Sequence, residues 1–171
     1  MKYSIVCSSQ TGNTMLLGEN VKKALPEGDC VYFGGIDDKA LDADRIYVGF
    51  WTDKGVCDDA TKEFLGKAEN KEIFLFGSAG FGVDLSYFEK ILTACNEYLG
   101  NNRLIGTFMC QGKMRQPVRD RYEKMLEKAK ADGDEKGQKT AEMLIGNFDM
   151  ALSHPDQKDF DNLIDAVKNS L

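Results

Sequence analysis

The chain has 171 residues, 42% of them hydrophobic, which supplies a sizeable core for one domain, and nothing in it suggests a second. A net charge of −6 argues against a nucleic-acid binder, and a single histidine with five scattered cysteines, none in a Cys-x-x-Cys pair, argues against a metal site. Met1-Lys2-Tyr3-Ser4 leads into a short apolar run instead of a signal peptide, and no apolar stretch approaches a membrane span, so a cytoplasmic location without membrane partners, and with reduced thiols, is expected.

The first predicted strand is Tyr3-Ser4-Ile5-Val6-Cys7. It runs into Ser8-Ser9-Gln10-Thr11-Gly12-Asn13-Thr14, and a helical stripe of Leu17, Val21, Ala24 and Leu25 follows. A strand that feeds a hydroxyl-rich turn and then a helix makes a nest of backbone N–H groups at the helix's positive end, and such a nest binds phosphate. No lysine or arginine lies between Lys2 and Lys22, the lysine of a nucleotide-triphosphate loop is missing, and the glycines are too few for a dinucleotide loop. Neutral donors suit a ligand that stays bound. The same residues also read as an ordinary capped helix start.

Pro26-Glu27-Gly28 stops that helix. A second strand at 29–33 ends in Gly34-Gly35, and 36–43 is a short connection with room for one or two helical turns. The third strand, Arg45-Ile46-Tyr47-Val48-Gly49-Phe50, continues into Trp51-Thr52-Asp53-Lys54-Gly55-Val56-Cys57, after which Asp58-Asp59 opens a helix. Glu72-Ile73-Phe74-Leu75-Phe76 is nearly all apolar, as expected of a central parallel strand covered on both faces. It breaks into Gly77-Ser78-Ala79-Gly80-Phe81-Gly82-Val83-Asp84, and Ser86 with Glu89 has capping-box spacing at the next helix. The fifth strand is 104–110.

Beyond it the alternation stops. Pro117 suits the first turn of a helix bearing Val118, Tyr122, Met125, Leu126 and Ala129, and a second stripe carries Ala141, Leu144, Ile145 and Phe148. The last helix is entered through Ser153-His154-Pro155-Asp156, where His154 is expected to cap or bond. Five strands alternating with helices predict an α/β fold, a doubly wound parallel sheet in one domain over residues 1–171, with 111–150 as a helical insertion. In such a sheet ligands bind outside the carboxyl ends of the strands, at the switch point between strands one and three. The loops after strands one, three and four can therefore enclose a flat ligand, with Trp51 and Phe81 as the aromatic side chains on the two ring-facing loops.

At these loops the chain resembles the flavodoxin family. Ser9-Gln10-Thr11-Gly12-Asn13-Thr14 is similar to that family's FMN phosphate loop, and Phe76-Gly77-Ser78-Ala79-Gly80-Phe81-Gly82 to its second flavin loop. The resemblance covers the chain to about Cys110 and again the final helix. It implies a five-stranded sheet in the order 2-1-3-4-5 and FMN as cofactor. The site residues it implies are Ser9, Gln10, Thr11, Gly12, Asn13 and Thr14 on the phosphate, then Phe50, Trp51, Thr52, Asp53, Lys54 and Gly55, then Ser78, Ala79, Gly80, Phe81 and Gly82 around the ring. The third-strand loop departs from the family pattern. A gapless match puts Asp53 at the inner stacking position and Lys54 at the glycine whose peptide bonds flavin N5. Trp51 then either stacks or packs beside the strand, and Gly55 supplies the flipping peptide if the loop is shifted by one residue. A lysine beside the ring would raise the flavin's potential and an acidic surround would lower it.

The resemblance implies an electron-transfer protein that passes electrons to a partner oxidoreductase. The alternative is an FMN-dependent NAD(P)H reductase of a small acceptor such as a quinone, with Arg115 or Arg119 meeting a nicotinamide phosphate. A signalling receiver of the same topology would use Asp53 and Lys113, but it needs acidic residues after strand one, where this chain has Ser8 and Ser9. Between Gln111 and Lys130 seven basic residues stand against three acidic ones, a local charge of +4 that leaves −10 for the remainder. The segment from Lys113 to Lys130 is either a solvated helix face or a docking patch for an acidic redox partner protein.

Overall fold

Apolar runs become buried strands. In the computed structural model, which describes residues 1–82 and 84–171, β1 (Tyr3–Cys7) is buried at all five positions. Val83, expected in the loop after the fourth long strand, lies outside the described residues. Strand β1 sits between β2 (Cys30–Gly34) and β3 (Arg45–Asp53); β5 (Glu72–Ala79) and β6 (Arg103–Gln111) extend the sheet on the far side of β3, all parallel. The spatial order β2-β1-β3-β5-β6 is the expected 2-1-3-4-5 order of five parallel strands.

One strand was not expected. β4 (Val56–Cys57) turns back on β3 as an antiparallel hairpin, pairing Thr52 with Cys57 and Asp53 with Val56. Its two central residues, Lys54 and Gly55, have φ of 50° and 84°. Positive φ at both positions is the requirement of a type I′ hairpin turn, whose twist matches that of the strands it joins.

Period-two alternation divides the core between the two faces of the sheet. Ile5, Tyr47 and Phe74 lie on one side with Leu17 and Val21 of α1 (Asn13–Ala24) and with Leu163 and Val167 of α6 (Gln157–Asn169). Val6, Val48 and Leu75 lie on the other, with Phe64 of α2 (Asp59–Lys67) and with Phe88 and Ile91 of α3 (Leu85–Asn96). Helix α1 lies especially close to the sheet at Gly18, where a Cβ would stand 2.4 Å from Cys7 Sγ. Burial pushes the Cys7 thiol up to about 12, so at neutral pH it is an uncharged packing group.

Caps set the helix starts. Asp58 caps α2, and Asp84, not the expected Ser86, caps α3: the Asp84 carboxylate accepts from the Ser86 N–H at 2.9 Å and from its hydroxyl at 2.7 Å. Asp156 and Asp159 form a capping box at α6, and His154 Nδ1 lies 2.7 Å from Asp159 Oδ2. At the amino ends of the strands, Glu72 is held by Arg45 of β3 at 2.6 Å and by Arg103 of β6, a clamp across three neighbouring strands.

The expected insertion is a helical pair, α4 (Gln116–Ala131) and α5 (Glu135–Ala151), packed chiefly on one another. Its two ends meet: the Lys113 N–H donates to the His154 carbonyl at 3.0 Å. No helix among the described residues is long and apolar enough to cross a membrane.

Candidate functional site

Strand β1 ends one residue before the first loop. The Ser8 N–H bonds the Gly49 carbonyl at 2.9 Å and its hydroxyl donates to Asp58 at 2.8 Å, which fixes where that loop leaves the sheet. The Ser9 hydroxyl accepts from the Gly12 N–H at 3.1 Å. Gly12 is the N-cap of α1 at φ 89°, and being glycine it offers no side-chain cap. The opening N–H groups of α1 therefore have no internal acceptor from the cap residue and point out of the helix end. Asn13 is 4% exposed; its amide donates to the Lys113 carbonyl at 2.9 Å while Oδ1 has no partner. Thr14 is deeper still, and its hydroxyl donates to the Phe50 carbonyl at 3.2 Å.

At the same edge of the sheet, Trp51, Thr52 and Asp53 of β3 meet Ser78, Ala79 and Gly80 from the end of β5. The Thr52 hydroxyl donates to the Ser78 carbonyl at 2.9 Å and locks the two walls together. With Gln10, Thr11 and Asn13 they line a cleft of about 370 Å³. Larger hollows occur elsewhere, one of about 450 Å³ beside Lys128, Asp132 and Thr140, but that one lies at the far ends of α4 and α5 from the strand termini. Topology favours the cleft at the strand ends.

Nine of the expected site residues thus line one cleft. Ser9 and Gly12 shape its first loop. Phe50 is wholly buried in the core, its ring beneath Gly77, where a Cβ would be 2.6 Å away. Lys54 stands exposed at the tip of the β3–β4 turn with Gly55 beside it, so Asp53 and not Lys54 faces the cleft. The Phe81 ring, half-buried, lies edge-on to Tyr87 at 6.0 Å between centroids and outside the cleft lining, and Gly82 backs onto Gln111.

A fourth wall comes from the segment after β6, to which sequence reasoning gave a site role only in the alternatives, through Arg115 or Arg119 in the reductase and Lys113 in the receiver. Gly112, Lys113, Met114, Arg115, Val118 and Arg121, from the loop after β6 and the start of α4, complete the lining. The signal was a glycine directly after a strand on the same sheet edge as the other three loops. Met114 rests on Gly80, where a Cβ would meet its sulfur at 2.4 Å. The Gly80 carbonyl accepts from Gln111 Nε2 and from Asn147 Nδ2, each at 3.0 Å, so α5 also braces the β5 loop.

These groups fit FMN. Outward N–H groups and the hydroxyls of Ser9 and Thr11 are donors for a phosphate, and the buried, unpartnered Asn13 Oδ1 is an acceptor for a hydroxyl such as those of the ribityl chain. Trp51 offers an aromatic surface to a planar ring.

Comparison with known proteins leads to the same place. The family model of the flavodoxin domain matches residues 4–168, running through the helical pair as well as the sheet. The chain is 42% identical to the flavodoxin-like domain-containing protein BilS of Clostridium symbiosum, over 93% of this chain and 90% of that one. It is 30% identical to the protein of the same name from Clostridioides difficile, with the same coverage. In fold it is similar to oxidised flavodoxin 2 from Bacillus cereus, with a TM-score of 0.60, 16% identity, and coverage of 99% of this chain and 97% of that one.

Proposed function

This chain belongs to the flavodoxin domain family and its cofactor is FMN, and from that premise we propose that it passes electrons from FMN held in the strand-end cleft to a partner oxidoreductase. The observation that carries this reading is the convergence of the β1, β3 and β5 loops on one cleft lined by Asn13, whose buried Oδ1 has no partner within the protein. FMN, when bound, supplies the capacity to take up and release electrons; the protein supplies position and electrostatics.

Gln10, Thr11 and the α1 amides would hold the phosphate, Asn13 the ribityl chain, and Trp51 with the Ser78, Ala79 and Gly80 backbone the ring. Asp53 would bring a carboxylate to the ring's surroundings, disfavouring negative charge there and lowering the potential. The Gln111 and Asn147 amides hold the Gly80 carbonyl and would fix the backbone that the ring packs against.

The partner would approach over α4. Lys124, Lys128 and Lys130 are exposed and have no carboxylate within ion-pair distance among the described residues, whereas Arg119 is occupied by Glu123 and Asp149. A partner with an acidic face would be steered to this helix, with a rate that falls as salt rises.

The test is direct. Apoprotein titrated with FMN is expected to give a stoichiometric yellow holoprotein, and failure to take up FMN would overturn the proposal. The holoprotein alone is expected to oxidise NADH and NADPH barely at all; brisk turnover without a reductase would favour the stand-alone reductase instead.

A further inference from the structure

We infer that the segment from Gly112 to Arg121 is the second half of the phosphate site, with Lys113, Arg115 and Arg121 supplying the positive charge that the first loop lacks. This rests on the FMN reading above and adds to it a source of affinity that a neutral nest does not have.

The first loop offers N–H groups and hydroxyls but no cation, since none occurs between Lys2 and Lys22. Yet the cleft it lines with Gln10 and Thr11 is not neutral. Lys113, Arg115 and Arg121 line the same cleft, and Asp53 is the acidic residue among the lining groups, an excess of two positive charges in a protein of net −6. None of the three cations has a carboxylate within 4.0 Å among the described residues, although Arg119, beside them on α4, is paired twice. Three cations left without counter-charges around one cleft are arranged for an anion that comes from outside the chain.

Their placement is built in. The Lys113 carbonyl is tied to Asn13, the first residue of α1, at 2.9 Å, and the Lys113 N–H is tied to His154 at 3.0 Å, so the loop is held from both sides. Its approach to the helix end needs a glycine: a Cβ on Gly112 would lie 2.5 Å from Asn13 Nδ2 and 3.1 Å from Ser78 Cβ. The Lys113 backbone is thereby held beside the positive end of α1, and Arg115 and Arg121 line the same cleft, where positive charge is unfavourable unless an anion is bound. A phosphate dianion answers both.

The experiment compares FMN with riboflavin, which lacks the phosphate, by quenching of flavin fluorescence on titration into apoprotein at low and at high salt. Wild type is expected to prefer FMN, and that preference to shrink with salt, because exposed charges are screened within about 10 Å at 0.1 M. In the triple variant Lys113→Gln/Arg115→Gln/Arg121→Gln the FMN Kd is expected to rise roughly tenfold with the riboflavin Kd unchanged, because exposed cations each contribute little and three act together. Lys113→Arg/Arg115→Lys/Arg121→Lys should keep the preference. An unchanged ratio of the two Kd values in the glutamine variant would overturn this assignment while leaving FMN binding standing. A wild-type apoprotein that binds no FMN would overturn the proposed function and this assignment with it. If the triple variant does not fold, Arg121→Gln alone and the salt dependence of wild type decide in the same way.

Discussion

Asp58 shows how one side chain can join two loops of the site. It is 3% exposed, and its carboxylate accepts from the Ser8 hydroxyl at 2.8 Å, the Thr61 N–H at 3.2 Å and the Thr61 hydroxyl at 2.8 Å. It is at once the cap of α2 and the anchor at the start of the loop that follows β1. Asp58→Ala removes a cap worth about 1 kcal/mol and leaves buried donors without an acceptor at about 1–3 kcal/mol, so a loss of about 2–4 kcal/mol is expected in urea unfolding. Asp58→Asn, which keeps an acceptor oxygen, should lose about half as much. A loss below about 0.5 kcal/mol for the alanine variant would show that other groups satisfy Ser8 and Thr61. The cap itself could be read from Asp58-Asp59 before a helical stripe. Its bond to Ser8, fifty positions earlier, has no local signature. The same limit applies to Phe50 and Trp51: adjacent residues on a strand face opposite ways, so only the register of the finished sheet decides which reaches the cleft.

At the scale of elements, the close approach of α1 to β1 sets two effects against each other. Gly18→Ala would raise helix propensity by about 1 kcal/mol, but the new Cβ would stand 2.4 Å from the buried Cys7 sulfur. Overpacking of this kind costs about 1–3 kcal/mol, and here it wins because α1 is fixed at its other end by Asn13 and Thr14. A net loss of about 1–2 kcal/mol is expected, and adding Cys7→Ala should recover most of it. Thermal melts of the single and double variants check this, and a Gly18→Ala variant as stable as wild type would sink it. The long elements were legible because each carries its own period: five apolar runs and the helical stripes between them. The β3–β4 hairpin was not, since two residues of strand are too short for any period to show. The Lys54-Gly55 turn also lacks the Asn or Asp that commonly marks such hairpins. At α3 two capping residues competed, and the carboxylate two positions earlier took the role assigned to Ser86.

The molecule as a whole is polarised along its strands. The carboxyl ends carry the cleft and its cations, and the amino ends carry the Arg45–Glu72–Arg103 clamp. The hydrogen bond from Arg45, then that from Arg103, holds the Glu72 carboxyl below the usual carboxylate range. A folded pKa below the unfolded one gives stability that is present above about pH 4.3 and is lost as pH falls through the folded value. Glu72→Gln should therefore melt below wild type at pH 7, with the gap closing as the pH is taken toward about 3. A gap that stays constant over that range would exclude the ion pairs as its origin. Acid thus loosens the end of the sheet opposite the cleft. The cleft's fourth wall belongs to an excursion that leaves at Lys113 and returns at His154, where the two backbones touch. Because its two ends meet, a change in the length of that detour need not move a strand out of register. The neutral nest on α1 is bound into the core through Thr14, while the cations that line the same cleft lie on the detour. If α4 carries both the phosphate's counter-charge and the partner's docking face, as proposed, grip on the cofactor and choice of partner would be retuned together by changes confined to one hairpin.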